Sequence, residues 1–188
     1  MCTNYNQLMA EQALAKAMDA VLHAGEAPPL AGSIFPKQHA YVARNANGRR
    51  IIDVMRWGFP PPPTAKAPVV NVRNLSSPFW SATLAKPELR CLVPVTSFSE
   101  WEGEKGSKVQ RWFSILSRPV FAFAGIWRPT DEDNVFAFLT CAPNPLVARV
   151  HPKAMPVILA DEDYAAWLAG EDAEALAQPY PSQLMTMV

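Results

Sequence analysis

Apolar residues in this chain follow first a helical and then a strand-like rhythm. Between Leu8 and His23 they fall at helical spacing, with Leu14, Met18, Val21 and Leu22 on one face, which predicts an amphipathic helix. Asn6 stands where a cap would start it and Gly25 where a glycine would stop it. Such a helix would hold the N-terminal segment against the body of the protein. Ala27 to Pro36 reads as loop. His39 to Arg44 and Arg49 to Met55 then predict paired strands around the polar turn Asn45 to Gly48. Trp57-Gly58-Phe59 runs into Pro60 to Pro63, a rigid extended stretch that belongs on the surface. Val69 to Arg73 predicts a short strand, and Ser76 to Leu84 a short helix capped by Ser76 or Ser77. Arg90 to Phe98 and Trp112 to Leu116 read as strands, the first of them buried. Val120 to Trp127 and Val135 to Cys141 form a second hairpin across the polar turn Arg128 to Asn134. Met155 to Leu159 is a further strand. Asp161 to Ala169 is a late helix with Asp161 as cap, and Glu171 to Leu176 another. No repeat or linker interrupts the series, so residues 1–188 read as a single mixed α+β domain, rich in β, with peripheral helices.

Composition adds limits rather than detail. The chain has 188 residues, is 49% hydrophobic and 18% charged, and carries no formal net charge. These are the proportions of a soluble globular protein with a sizeable core. Zero net charge argues against a basic sheath for wrapping duplex DNA, though not against a local basic groove. The 19 prolines favour short, extended or turning segments. The three cysteines, Cys2, Cys91 and Cys141, show neither disulfide-framework nor zinc-site spacing. The N-terminus has no signal-peptide pattern and no apolar run is long enough to span a bilayer. The expected setting is therefore a reducing cytoplasm, near the nucleoid, where Cys2 stays a free thiol.

Position two gives Cys2 a chemistry of its own. Loss of Met1 next to so small a residue leaves an α-amine and a thiol on adjacent carbons. The amine forms an imine with an aldehyde, and the thiol then closes on the imine carbon to give a five-membered thiazolidine. That reaction is confined to an N-terminal cysteine. The amine titrates at about 8 and the thiol at about 8.5, so both have usable reactive fractions near neutrality. By position alone, Cys2 is also simply a small residue after Met1. Glu100, in Phe98-Ser99-Glu100-Trp101, follows a buried strand and is a candidate proton shuttle if desolvated, or else a solvated strand end. His151 precedes Pro152 in a short loop that would fix its aim toward sugar oxygens, if it has a role at all. Asn71 and Arg73 alternate on one strand and so share a face suited to sugar and phosphate oxygens, or a solvated edge. Trp57 is either a stacking platform for a base or a core tryptophan. Lys153 and Arg149 offer phosphate contacts. Cys91 and Cys141 sit in apolar strands as inert core residues.

In order along nearly the whole chain, these segments resemble the SRAP family, the SOS-response-associated peptidases understood as abasic-site-processing proteins. The matching pieces are Met1-Cys2, Trp57-Gly58-Phe59-Pro60, Asn71-Val72-Arg73, Arg90-Cys91-Leu92-Val93-Pro94, Phe98-Ser99-Glu100-Trp101, Ala124-Gly125-Ile126-Trp127, Thr140-Cys141-Ala142-Pro143-Asn144 and His151-Pro152-Lys153-Ala154-Met155-Pro156. Each fragment is weak alone, and the ordered set is specific. The resemblance implies a single-domain, barrel-like mixed fold with a basic cleft for single-stranded DNA. It implies a thiazolidine between Cys2 and the ring-opened aldehyde of an abasic sugar. It gives Glu100 the acid/base role, Asn71 the positioning of amine and sugar, and His151 a part in ring opening and reversal. Arg73 would hold a phosphate, and Trp57 with Pro36 would pack beside the bases.

The sequence departs from the family in places. Cys2-Thr3-Asn4 stands where Cys-Gly-Arg is common, and Leu75 where a glutamate is frequent. Lys153 replaces an arginine and loses its bidentate fork, and Pro156 lies one residue farther from His151. Weaker DNA affinity is expected. The activity expected is a covalent, slowly reversible capture of abasic single-stranded DNA by a monomer, with no metal or organic cofactor and no membrane. A lyase side reaction through the imine is compatible with it. The competing readings are an N-terminal-nucleophile peptidase, in which the Cys2 thiol attacks an amide, and a non-covalent single-strand binder using Trp57 and Arg73.

Overall fold

The computed structural model describes residues 2–22, 32–63, 65–104 and 106–188. In chain order the elements are β1 (Tyr5–Asn6), α1 (Glu11–Ala17), β2 (Val21–Leu22), β3 (Ser33–Ile34), β4 (His39–Ala46), β5 (Arg49–Trp57), β6 (Asn71–Val72) and α2 (Ser81–Leu84). They continue with β7 (Arg90–Val95), β8 (Ser97–Glu102), β9 (Val109–Ile115), β10 (Phe121–Pro129), β11 (Asn134–Cys141), α3 (Pro145–Ala148), β12 (Met155–Pro156), β13 (Ile158–Leu159), α4 (Asp163–Ala169), α5 (Ala173–Leu176) and β14 (Met185–Met187). The protein is β-rich α+β, with two sheets and short peripheral helices. The smaller sheet runs β14-β9-β8-β1-β3, and the larger runs β12-β11-β10-β7-β4-β5-β2.

The larger sheet closes on itself. β5 pairs in parallel with β11 through Arg56↔Val135 and Trp57↔Phe136, which completes the ring β5-β4-β7-β10-β11. Closure removes the sheet edges that would otherwise seek partners. One face of the ring (Val42, Met55, Val93, Phe123, Phe138) packs on Tyr5, Phe98, Phe113 and Met185 of the smaller sheet. The other face (Ala43, Ile52, Leu92, Ala124, Ala137) is covered by Leu14 and Met18 from the first helical segment and by Tyr164 and Trp167 of α4. Strands covered on both faces have no polar side, and this is why β7, β10 and β11 read as continuous apolar runs.

Both hairpins form where the sequence pattern puts them. The first turns more tightly than the spacing implies, because β4 runs to Ala46 and leaves Asn47 and Gly48 at φ 51° and 75° to make the turn. Elsewhere boundaries differ from expectation. The helix drawn from Leu8 to His23 spans Glu11–Ala17; Asn6 is in β1 and caps nothing, while His23 and Gly25 lie outside the described residues. Asp19 adopts φ 49° and ends the helical run, and the Arg50 guanidinium takes the Met18 carbonyl at 2.5 Å. Val21 and Leu22 then pair with Ile51 and Ile52. Their helical spacing also suited a strand, and the neighbouring strand prevailed.

The run Arg90 to Phe98 breaks at Thr96, whose N–H reaches Asn6 O at 2.9 Å, so that one apolar stretch serves both sheets. Met155 to Leu159 likewise splits at Val157 between β11 and β10. α2 starts at Ser81 without a serine cap, and α4 starts at Asp163 because Asp161 is engaged with Arg118. Arg90 to Val95 is wholly buried, Arg90 included. Its guanidinium serves the carbonyls of Leu84, Trp167 and Glu171 and lies 4.4 Å from the Trp167 ring. No helix among the described residues is long and apolar enough to cross a membrane.

Candidate active site

The N-terminal segment enters the smaller sheet as a strand between β8 and β3. Tyr5 pairs with Phe98 on one side and with Ile34 on the other, and Ser99 N–H extends the pairing to Asn4 O at 3.0 Å. Cys2 is 1% exposed, Asn4 5%, and Thr3 is exposed. The Cys2 thiol donates to the Asn4 carbonyl at 3.4 Å. Burial pushes this thiol well above its ordinary range, and the nearby Glu100 carboxylate adds to the effect. The thiol is held neutral.

Side chains from three other parts of the chain meet here. Asn71, at the start of β6, is set by pairing with Phe138 and donates its Nδ2 to the Cys2 carbonyl at 3.0 Å. Glu100 lies in β8 and is 3% exposed. Burial raises its pKa, opposed in part by the field of His151. His151 follows α3, which opens on Asn144: that side chain accepts from Val147 N–H at 2.9 Å and donates to Tyr180 O at 2.6 Å. His151 N–H returns to Val147 O at 2.8 Å, and its Nδ1 lies 2.9 Å from Ala154 O. Ala154 N–H also lies 3.3 Å from Nδ1, so Ala154 orients the ring through both its carbonyl and its amide. The arrangement thus holds a thiol, a carboxyl kept protonated to higher pH than usual, and an oriented imidazole.

Two acceptors at this site are unsatisfied. Among the described residues, neither Asn4 Oδ1 nor Asn71 Oδ1 has a hydrogen-bond partner, and both are buried. Each such oxygen costs about 1–3 kcal/mol. Nothing in the local sequence marks Asn4 as a buried asparagine rather than a solvated one.

The remaining expected site residues lie apart from this cluster. Arg73 is exposed just beyond β6, so it does not share the buried environment of Asn71. Arg149 and Lys153 are exposed on either side of His151. None of these cations is in an ion pair among the described residues. Trp57 requires correction as a stacking platform. It is 0% exposed, its ring stacked on Phe138 at 5.2 Å and edge-on to Tyr5 at 5.0 Å, with Nε1 bonded to Val70 O. It presents no face to a base and instead packs behind the strand that carries Cys2. Pro36 is half-buried in a turn in which Gln38 N–H bonds to Phe35 O and Lys37 takes φ 75°. The exposed aromatic of that turn is Phe35, 47% exposed, and Trp101 beside Glu100 is equally open. All three cysteines are free. The described residues contain no group of three or more His, Cys, Asp or Glu able to hold a metal.

A closed sheet packed on a smaller one, with an N-terminal cysteine strand threaded between β3 and β8 beside a buried carboxyl and a fixed histidine, defines a class of protein built around its second residue. The chain belongs to the SRAP family: the model described as SOS response associated peptidase (SRAP) matches residues 1–188. It is 29% identical to the abasic site processing protein YoqW of Bacillus subtilis (strain 168), over 89% of this chain and 81% of that one. It is also 29% identical to the abasic site processing protein YobE of the same organism, over 89% of this chain and 83% of that one. In fold it is similar to a crystal structure of a protein from Bordetella bronchiseptica, with a TM-score of 0.82 at 23% identity, over 99% of this chain and 98% of that chain.

Proposed function

We propose that this protein processes abasic sites by bonding covalently, through the amine and thiol of Cys2, to the sugar aldehyde in single-stranded DNA. The observation that carries the reading is the convergence of Asn71 and Glu100 on Cys2, with His151 near Glu100, around a residue with no catalytic neighbours in sequence. The names of the YoqW and YobE relatives support the choice of substrate.

The chemistry follows from the groups present once Met1 is removed. His151 takes the proton of the sugar's anomeric hydroxyl and delivers it to the ring oxygen as the bond from that oxygen to the first carbon breaks. The Cys2 amine adds to the aldehyde carbon. Glu100, whose pKa burial raises, gives its proton to the carbinolamine hydroxyl, which leaves as water and yields the iminium. The thiol then adds to the iminium carbon, forming the C–S bond, and its proton passes to the Glu100 carboxylate. The net change is thiazolidine plus one water. Burial holds the thiol neutral until a cationic iminium stands beside it and favours the thiolate. Asn71 fixes the Cys2 backbone by its bond to the carbonyl. Arg73, Arg149 and Lys153 are exposed cations available to phosphates, and Pro36 borders the same strand from the β3 side.

The test is incubation with a uracil-glycosylase-treated single-stranded oligonucleotide, followed by a denaturing gel and mass spectrometry of the N-terminal peptide. The expected product is a gel-stable adduct on Cys2 with Met1 absent. Cys2→Ala should form none. A thiazolidine-stable adduct in that variant, or an active form that retains Met1, would defeat the mechanism. Cleavage of peptide libraries that depends on Cys2 would point instead to a peptidase.

A further inference from the structure

Asn4 and Asn71 both hydrogen-bond to Cys2 and share one condition. The Asn4 backbone carbonyl is used by the Cys2 thiol and by Ser99 N–H, so the residue is fixed against β8. Asn71 spends its Nδ2 on the Cys2 carbonyl. In each, the side-chain oxygen is buried and meets no donor among the described residues. Natural proteins leave few buried acceptors unpaired, and those that persist call for an explanation. Here there are two, both neutral amide oxygens, on residues that each hydrogen-bond to one cysteine. Such a pair takes a ligand that donates protons. It repels phosphate oxygens and carbonyls, which only accept.

We propose that Asn4, together with Asn71, is a specificity-determining residue whose Oδ1 accepts a hydrogen bond from the free hydroxyl of a ring-opened sugar bonded to Cys2. The inference rests on the covalent reading above. Ring opening turns the ring oxygen of the sugar into a hydroxyl on the fourth carbon and exposes the aldehyde on the first. An intact nucleotide has neither, because its ring oxygen is an ether and its first carbon carries the base. An acceptor pair on residues that touch Cys2 therefore distinguishes the reactive form from ordinary DNA. The Cys2 thiol donates to the Asn4 carbonyl at 3.4 Å and Asn71 Nδ2 donates to the Cys2 carbonyl at 3.0 Å, so both residues touch the cysteine to which the sugar carbon becomes bonded.

The experiment compares two single-stranded oligonucleotides of one sequence. One carries an abasic sugar, and the other an unbranched alkyl aldehyde without hydroxyls in its place. Rates of adduct formation are measured for the wild-type chain and for Asn4→Leu, an apolar replacement of similar size. The variant should react with the abasic strand about tenfold more slowly, the scale of one hydrogen bond, and with the alkyl aldehyde within about twofold of wild type. Its thermal stability should equal or exceed that of wild type, because an unpaired buried acceptor has been removed. Equal loss on both aldehydes, loss on neither, or a clear drop in melting temperature overturns the inference. If the wild-type chain reacts with neither aldehyde, the covalent reading itself has failed, and that outcome is separate from any effect of Asn4.

Discussion

Gln7 commits its entire side-chain amide to backbone groups of the closed sheet. Its Nε2 donates to Tyr41 O at 2.8 Å and Pro94 O at 2.9 Å, and its Oε1 accepts from Tyr41 N–H at 3.1 Å. It is 3% exposed and lies one residue beyond β1, so it moors the Cys2 strand to β4 and β7. Gln7→Ala would leave those backbone groups buried and unpaired. The expected loss is about 3 kcal/mol, read from a lower urea midpoint at unchanged slope. A loss under about 0.5 kcal/mol would mean that water replaces the amide fully. Nothing in the local sequence marks Gln7 as different from Gln38 or Gln178, which are not buried. The same blindness applies to Trp57, for which platform and core were both open from sequence and burial decided for core.

At the level of elements, two glycines separate backbone strain from steric conflict. Gly48 turns the β4–β5 hairpin at φ 75°, and an added Cβ would meet no atom within 4 Å. Gly48→Ala therefore carries a conformational cost alone, about 1 kcal/mol. Gly170 ends α4 at φ 89°, but an added Cβ would stand 2.5 Å from Pro87 Cγ. Gly170→Ala must displace Pro87 as well, so about 2–4 kcal/mol is expected. Denaturant titrations of both variants measure the difference, and equal losses would refute the steric part. The hairpin turn was legible from Asn47-Gly48, a pair that favours left-handed conformations. The end of α1 was not. Asp19 holds φ 49° without a glycine, supported by Arg50 from a strand about 30 residues away.

At the scale of the whole molecule, Glu100 links the site to folding. Burial keeps its folded pKa above the ordinary 4.5, so between the two values the folded chain holds a proton that the unfolded chain has released. Stability from this group is therefore fully present below about pH 4.5 and is lost as pH rises through the folded value. Glu100→Gln lacks that dependence. Its stability relative to wild type should increase from about pH 4 to pH 8, as followed by urea midpoints across the range. A relative decrease would contradict the desolvated state of Glu100. By itself the sequence determined the hairpins, the two-sided burial of the apolar strands, the family, and the adjacency of amine and thiol on Cys2, because all of these depend on residue order over short spans. Tertiary structure decided where apolar runs split between sheets, which tryptophan or glutamine was buried, and that Asn4, Asn71 and Glu100 come to Cys2 with His151 near Glu100. Those outcomes depend on pairings between segments far apart in the chain, and the burial they create sets the protonation of Glu100 and of Cys2.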